Sequence, residues 1–165
     1  FTLIEVLVVI AIIGILSSVA MTSLNGARIK AKTAVVNASM DDFIDAANYA
    51  QITDGGYLKD VTGSACTICA NSCRTVDLRN VSDTNACYLA WVNALDQIES
   101  ATEGAYSDLD SMLRDPWGSP YALDENGGEF PADICRKDTV RSVGPDGKYG
   151  NSDDISFSMT PVPCS

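Results

Sequence analysis

The sequence predicts an α+β fold, in which one long N-terminal helix packs on a small antiparallel β-sheet. The first observation is an apolar run over residues 1–24 that contains a single charged residue, Glu5. The second is that apolar residues continue at helical spacing to about residue 52, with no proline in between. The third is a series of short β-type segments between turn-forming residues in the second half of the chain.

The apolar run is long enough to cross a bilayer. As a helix, residues 1–24 would extend roughly 36 Å, which exceeds a hydrocarbon core of about 30 Å. The pattern argues against a secretory signal peptide, because no basic segment precedes the run and no small-residue cleavage site clearly ends it. Since the chain starts at Phe1 rather than Met, we expect that a leader has been removed. The prediction is a transmembrane or filament-core helix over residues 1–24 and an exported globular domain over residues 25–165, which includes the second half of the helix.

The second half of the long helix is predicted to lay an apolar stripe against the rest of the domain. The stripe consists of six residues: Ile29, Val36, Met40, Phe43, Ala47 and Ala50. Gly14, Ser17 and Ser18 mark the expected weak point of the helix, since glycine and serine lower helix propensity. The helix should end at Gly55 or Gly56, one of which would adopt the left-handed cap conformation.

Short elements are predicted for the remainder of the domain. Residues 60–86 are rich in Thr, Ser, Asn and Asp and are interpreted as a looped insert. A second helix should follow, with apolar positions at Leu89, Val92, Leu95 and Ile98, and then at Leu109, Met112 and Leu113. The turn cluster DPWGSPY at residues 115–121 precedes three expected strands, at Tyr121–Leu123, Thr139–Val143 and Ile155–Met159.

The composition excludes several common classes of catalytic site. The chain has no histidine, which excludes Ser-His-Asp and Cys-His nucleophile systems and the histidine zinc proteases. Neither a P-loop nor a glycine-rich dinucleotide-binding motif occurs. Residues 33–165 hold eight basic against 21 acidic residues, so this region should repel phosphate backbones, and nucleic acid is not expected as a bulk partner. The sequence therefore does not predict an enzyme.

Glu5 is the unusual residue of the apolar run. A carboxylate inside a membrane span costs about 2.5–3.5 kcal/mol on insertion scales, so it indicates a function. One interpretation is that Glu5 lies close enough to the membrane–water interface for its carboxylate to reach water. The functional interpretation is that Glu5 pairs with an ammonium group. The chain has no Lys or Arg before Arg28. The α-amine of Phe1 on a neighbouring chain, shifted along a helix bundle, would satisfy Glu5 only upon assembly.

Six cysteines in a chain of 165 residues indicate an oxidising compartment outside the cytoplasm. They are Cys66, Cys69, Cys73, Cys87, Cys135 and Cys164. Disulfides are the favoured interpretation for the first four, which can pair in three ways that the sequence does not rank. The alternative for the same four residues is a thiolate metal site.

The run FTLIEVLVVIAIIGIL closely resembles the N-terminus of mature type IV pilins and type II secretion pseudopilins. The resemblance implies a pilin-like fold, processing by a prepilin peptidase, N-methylation of Phe1 and assembly into a helical filament in which Glu5 and Phe1 take part. TDGGY and DPWGSPY also resemble stretches of major pseudopilins. The proline that many members carry near position 22 is absent here, where the sequence is Met21-Thr22-Ser23. A disulfide between Cys135 and Cys164 would match the C-terminal disulfide loop of many pilins.

The stretch SVGPDGKYGNSDDI is a candidate calcium loop. Its carboxylates and glycines suit a cation that takes six to eight oxygen ligands in flexible geometry, although the spacing is not that of an EF-hand. The stretch resembles the calcium loop of major pseudopilins, which implies that the carbonyl of Val143 and the carboxylates of Asp146, Asp153 and Asp154 bind Ca²⁺. The alternative is a solvated acidic turn without metal.

The predicted function is that of a major pilin, a structural subunit that polymerises into a type IV pilus on the cell surface. The resemblance implies storage in the inner membrane before assembly, a homopolymer as the product, and an ATP-driven assembly machine as partner. The alternatives are a major pseudopilin of a type II secretion system and a monomeric membrane-anchored calcium-binding domain. The small basic cluster of Arg136, Lys137 and Arg141 is expected to meet an acidic face of the next subunit.

Overall fold

The computed structural model describes residues 2–63, 66–69 and 71–165, without the side chains of residues 19–23 and 71. The chain divides into two compact units, Phe1–Ala34 and Val35–Ser165. Helix α1, Leu3–Asp54, contributes to both and continues without a break through the expected weak point at Gly14. The predicted long helix is therefore confirmed.

The first unit carries an exposed apolar surface. The large apolar side chains from Leu3 to Leu16 are all at least 51 % exposed, with Leu3 at 80 %. Within the part of the chain that the structure describes, no helix has the length and apolarity that a membrane span needs. The predicted span 1–24 is thus not confirmed, and Phe1 and the side chains of Met21-Thr22-Ser23 lie outside the described residues.

The core of the second unit forms around the last five turns of α1. Every predicted stripe residue from Val36 to Ala50 is fully buried. Ile29 is 40 % exposed, so its assignment to the stripe was wrong: it lies two turns before Val36, where burial begins. The stripe packs against helix α4, Ala86–Ala101, and against the sheet. The predicted α+β architecture, with the helix on the sheet, is confirmed.

Helix α4 buries Leu95 and Ile98 as expected, but its inward face differs at the start of the helix. Its buried positions are Cys87, Tyr88, Trp91, Ala94, Leu95 and Ile98. Leu89 is 50 % exposed, so placing it in the core was wrong. The reason is that Trp91, which carries the largest side chain of the helix, fixes its orientation. The indole lies 5.3 Å from the ring of Phe43 and 5.5 Å from that of Tyr121, and its Nε1 donates to the carbonyl of Met112 at 2.8 Å.

Three antiparallel strands form the sheet in the order β1-β2-β3, with β1 at Ala122–Asp124, β2 at Asp138–Ser142 and β3 at Ile155–Met159. Leu123 pairs with Val140, and Val140 pairs with Phe157. The third strand has the predicted bounds, whereas the first begins one residue later and the second one residue earlier. These shifts leave the inward face, Leu123 and Val140, unchanged.

Short helices connect the main elements. Gly55, at φ 77°, ends α1, and its amide donates to the carbonyl of Gln51 at 2.8 Å. The insert that the sequence predicts as loop, residues 60–86, begins within α2, Leu58–Thr62, and contains α3, Asn71–Arg74. The described residues also form two 3₁₀ helices, at Leu109–Met112 and Val162–Cys164.

Candidate functional sites: the helix start and the acidic loop

Glu5 takes part in a capping box at the start of α1. Its Oε2 accepts hydrogen bonds from the backbone amide of Thr2 at 2.7 Å and from the Thr2 hydroxyl at 3.0 Å. The Glu5 amide donates in return to Thr2 Oγ1 at 3.4 Å. This reciprocal arrangement satisfies helix amides that would otherwise lack partners. The sequence reasoning missed it, although the Thr-x-x-Glu spacing is the known signal for such a box.

The capping box gives Glu5 a partner within its own chain. Its carboxylate is therefore held at the beginning of the helix before any neighbour is present. The predicted partner, the amine of Phe1, lies outside the described residues. Pairing between Glu5 and a neighbour's Phe1 stays a prediction.

The predicted calcium residues lie in the loop between β2 and β3, called the acidic loop below (residues 143–154). Asp146 is held by two bonds, from the Lys148 amide to Oδ1 and from the Asn151 side-chain amide to Oδ2, both at 2.8 Å. The Asp146 amide donates to Asp153 Oδ2 at 3.2 Å. The loop thus folds around its own carboxylates.

Asp154 differs from the other two aspartates because its side chain is only 4 % exposed. Its Oδ2 accepts from the Gly150 amide at 2.8 Å and contacts Arg141 Nη1 at 3.3 Å. Its Oδ1 is buried and has no hydrogen-bond partner among the described residues. A buried, unpaired carboxylate oxygen is costly. The donor set therefore fits a hard cation, which would supply the partner that this oxygen lacks.

The three aspartates do not form a closed ligand cluster in this conformation. Among the described residues, only Cys66, Cys69 and Asp124 place three potential ligand atoms within 4.8 Å of one another. That group cannot act as a thiolate site, because Cys66 and Cys69 are joined in a disulfide. The structure brings Asp146 to Asp153 and buries Asp154, and the side chain of Val143 is fully buried.

Two comparisons with known proteins bear on these sites. Residues 1–21 match the prokaryotic N-terminal methylation motif. Over 155 residues, the chain is 28 % identical to the type II secretion system core protein G of Klebsiella pneumoniae, a match that covers 94 % of this chain and 90 % of that protein. No solved structure matches at a significant level.

The matches support the type IV pilin and major pseudopilin family. Members of this family are structural subunits without enzymatic activity. The prediction that the chain is not an enzyme is therefore confirmed, and the two sites described above are candidates for assembly and for cation binding rather than for catalysis.

The cysteine-bearing insert of this pilin-like chain is fastened to the acidic loop. The Leu78 amide donates to the carbonyl of Gly147 at 2.9 Å, and Arg79 Nη1 donates to the carbonyl of Pro145 at 2.8 Å. Leu78 and Val143 belong to one small buried cluster with Ile68 and the Cys73–Cys87 pair. Sequence reasoning missed these contacts, since nothing in the local pattern indicates which loops of a domain meet.

All six cysteines are in disulfides: Cys66–Cys69, Cys73–Cys87 and Cys135–Cys164. The last bond is the one expected from the pilin resemblance. The first two select one of the three pairings left open by the sequence. The alternative of a thiolate metal site at Cys66, Cys69, Cys73 and Cys87 is wrong, because sulfur atoms that are joined in disulfides cannot bind a metal as thiolates.

Proposed function

We propose that the chain is the subunit of a filament that polymerises through its N-terminal helix. The observation that carries this proposal is the combination of a carboxylate fixed at the start of α1 with apolar side chains that are at least 51 % exposed from Leu3 to Leu16. Once the helix has left the lipid, burial of this surface among neighbouring helices is favoured by about 25 cal/mol per Å² relative to its exposure to water. Packing of neighbouring helices along this surface would therefore favour a homopolymer.

Glu5 sets the register in this proposal. Before assembly the chain is held in the inner membrane, where a prepilin peptidase has cleaved the precursor ahead of Phe1 and Phe1 has been N-methylated. On addition to the filament by an ATP-driven machine, Glu5 pairs with the Phe1 amine of a neighbour. A buried ion pair is worth most when additional hydrogen bonds satisfy its charges, and Thr2 supplies two such bonds to Glu5.

Two filaments fit the subunit equally. A type IV pilus on the cell surface, or fimbrium, is favoured by the three disulfides, since covalent closure suits a fibre under shear. A type II secretion pseudopilus is favoured by the similarity to core protein G, which extends over 94 % of this chain.

We also propose that the acidic loop binds Ca²⁺ through Asp146, Asp153, Asp154 and the carbonyl of Val143. The unpaired Oδ1 of Asp154 supports this proposal. A bound cation would share Asp154 with Arg141, whose guanidinium lies 3.3 Å from the other carboxylate oxygen. The role of the ion would be structural, because it would neutralise a loop rich in like charges.

The assembly proposal is tested by two substitutions that separate the charge of Glu5 from its capping role. Glu5→Gln removes the charge, but glutamine is also accepted in a capping box. Glu5→Ala removes both. Asp42→Ala, at an exposed carboxylate of the same helix, is the matched control. The measurement is the amount of subunit in filaments sheared from cells, relative to total subunit.

We expect both Glu5 variants to lose filaments at least tenfold, whereas the control assembles normally. Wild-type filament yield from Glu5→Gln would overturn pairing by charge. Normal yield from Glu5→Ala would overturn assembly through this residue and favour a monomeric anchored domain.

The kind of filament is tested by immunogold labelling of intact cells with antibody against residues 35–165. Label along long surface fibres identifies a pilus. Label that stays in the envelope at native expression, together with loss of protein secretion when the chain is deleted, identifies a pseudopilus.

A further inference from the structure

Two fully buried carboxylates lie where β1 and β2 meet the turn between them. The register of the strands pairs Asp124 with Thr139. Glu125 directly follows Asp124, Asp138 directly precedes Thr139, and the charge of Asp138 acts on Glu125. Glu125 and Asp138 both have 0 % exposure.

Each carboxyl group has one satisfied and one unsatisfied oxygen. Asp138 Oδ1 accepts hydrogen bonds from the backbone amides of Asn126 and Gly127, both at 2.7 Å. Glu125 Oε1 accepts from the Thr62 hydroxyl at 2.7 Å. Glu125 Oε2 and Asp138 Oδ2 are both buried without a hydrogen-bond partner among the described residues.

These contacts distinguish the two acids. Two amide donors stabilise the ionised form of Asp138, whereas Glu125 has one hydroxyl donor. Burial, and to a smaller extent the negative charges of Asp138 and Asp124, raise the pKa of Glu125 to about 7, although the hydrogen bond from Thr62 opposes the rise. Burial also raises the pKa of Asp138, which the two amides oppose.

The neighbouring segments supply no described cation that is free to neutralise the pair. On α2, Lys59 is bound to Asp60 at 2.8 Å. Glu129 in the following turn adds negative charge near Asp138. Arg136 and Lys137, the basic residues that precede β2, are exposed. Ionising both buried carboxylates at once carries a high free-energy cost, because like charges repel and burial removes their hydration.

We propose that Glu125 and Asp138 form a buried proton-binding site, which holds one proton in mild acid, carried by Glu125. The proton is part of the fold, because the pair joins Thr62 on α2 to the end of β1 and the start of β2. The adjoining Gly127 and Gly128 pack tightly against Tyr57 and Pro161, where a Cβ would have no room. The site is independent of the Glu5 assembly site and of the acidic loop.

The consequence for stability follows from the two protonation states. In the unfolded chain Glu125 loses its proton near its ordinary pKa of 4.5, and in the folded chain near 7. The stabilisation by this group is complete below pH 4.5, falls as the pH rises towards 7, and is gone above that value. The pair thus makes the subunit more stable in mild acid.

The test uses the full-length chain in detergent, labelled with ¹³C at glutamate carboxyl groups. Glu125→Gln identifies the resonance of Glu125 and replaces its protonated form with a neutral side chain of equal size. Glu103→Gln, at an exposed position, is the control. We expect a midpoint near pH 7 for Glu125, unchanged by EDTA or by added Ca²⁺.

Melting temperatures give the second readout. Between pH 4.5 and 7.5, the melting temperature of the wild type should fall relative to that of Glu125→Gln, whereas Glu103→Gln should follow the wild type. A midpoint of Glu125 at or below its ordinary pKa of 4.5 would overturn the proposal, as would a bound metal ion that keeps Glu125 ionised at pH 6. If the variant fails to fold, the resonance of Glu125 is assigned instead by triple-resonance experiments on the wild type, so the titration still decides the matter.

Discussion

Arg79 donates a hydrogen bond from Nη1 to the backbone carbonyl of Pro145 at 2.8 Å, across 66 positions of the chain. The same guanidinium is held by Asp77, whose pKa falls to about 2 because Arg79 donates to its carboxylate from the side chain and the backbone. This contact joins the cysteine-bearing insert to the acidic loop. The insert therefore acts as a brace for the loop proposed to bind calcium.

A methyl group at Gly147 should break this brace. Gly147 has φ +71°, and a Cβ there would meet Asp77 Oδ1 and would lie 2.6 Å from Arg79 Cγ. Gly147→Ala should lower the free energy of unfolding by about 1–2 kcal/mol for the backbone conformation and by about 1–3 kcal/mol more for the clash. Urea denaturation measures the total.

Gly150→Ala is the matched control, because Gly150 also has positive φ, at +91°, but no atom within 4 Å of the added Cβ. It should show the backbone cost alone. Equal destabilisation by the two substitutions would mean that the insert does not press on the acidic loop.

Calcium should raise the melting temperature of the wild-type chain, and this rise should depend on Asp154. A ligand at 100 times its dissociation constant adds about 2.7 kcal/mol to the free energy of unfolding. Asp154→Asn should abolish the rise in melting temperature with Ca²⁺, whereas Asp110→Asn, at an exposed position, should retain it. An identical melting temperature of the wild type in EDTA and in millimolar Ca²⁺ would contradict the calcium proposal.

The disulfides should differ in their effect on stability according to the loop that each one closes. Cys135–Cys164 spans 29 residues and Cys66–Cys69 spans three. On the chain-entropy estimate, paired serine substitutions should cost about 3–4 kcal/mol for the long loop and about 2 kcal/mol for the short one. Denaturation under non-reducing conditions measures both. A larger loss at the short loop would show that local packing, not chain entropy, determines the contribution.

Local patterns were sufficient for most of the fold. Spacing alone located α1 and its buried face from Val36 to Ala50, and alternation located β3. The prediction failed for Leu89 because several apolar residues of α4 compete for the core, and only tertiary contacts of Trp91 select the face. It also missed Gln51, a fully buried polar residue whose side-chain oxygen accepts from the Val162 amide at 3.1 Å.

The candidate sites were predictable only as sets of residues. The sequence supplied Glu5 and the aspartates of the acidic loop, but not the Thr2 cap or the brace from Arg79. Glu125 and Asp138 were also missed, because their proximity depends on strand register. Contacts between segments that are far apart in sequence leave no local signal.

The most direct test of the central claim is a helical reconstruction of filaments purified from cells, at a resolution that shows side chains. The account predicts that the chain forms the filament, that residues 3–16 are buried among neighbouring helices, and that the Glu5 carboxylate lies within about 4 Å of the Phe1 amine of another subunit. Filaments in which residues 3–16 face solvent, or in which Glu5 contacts no neighbour's N-terminus, would contradict it.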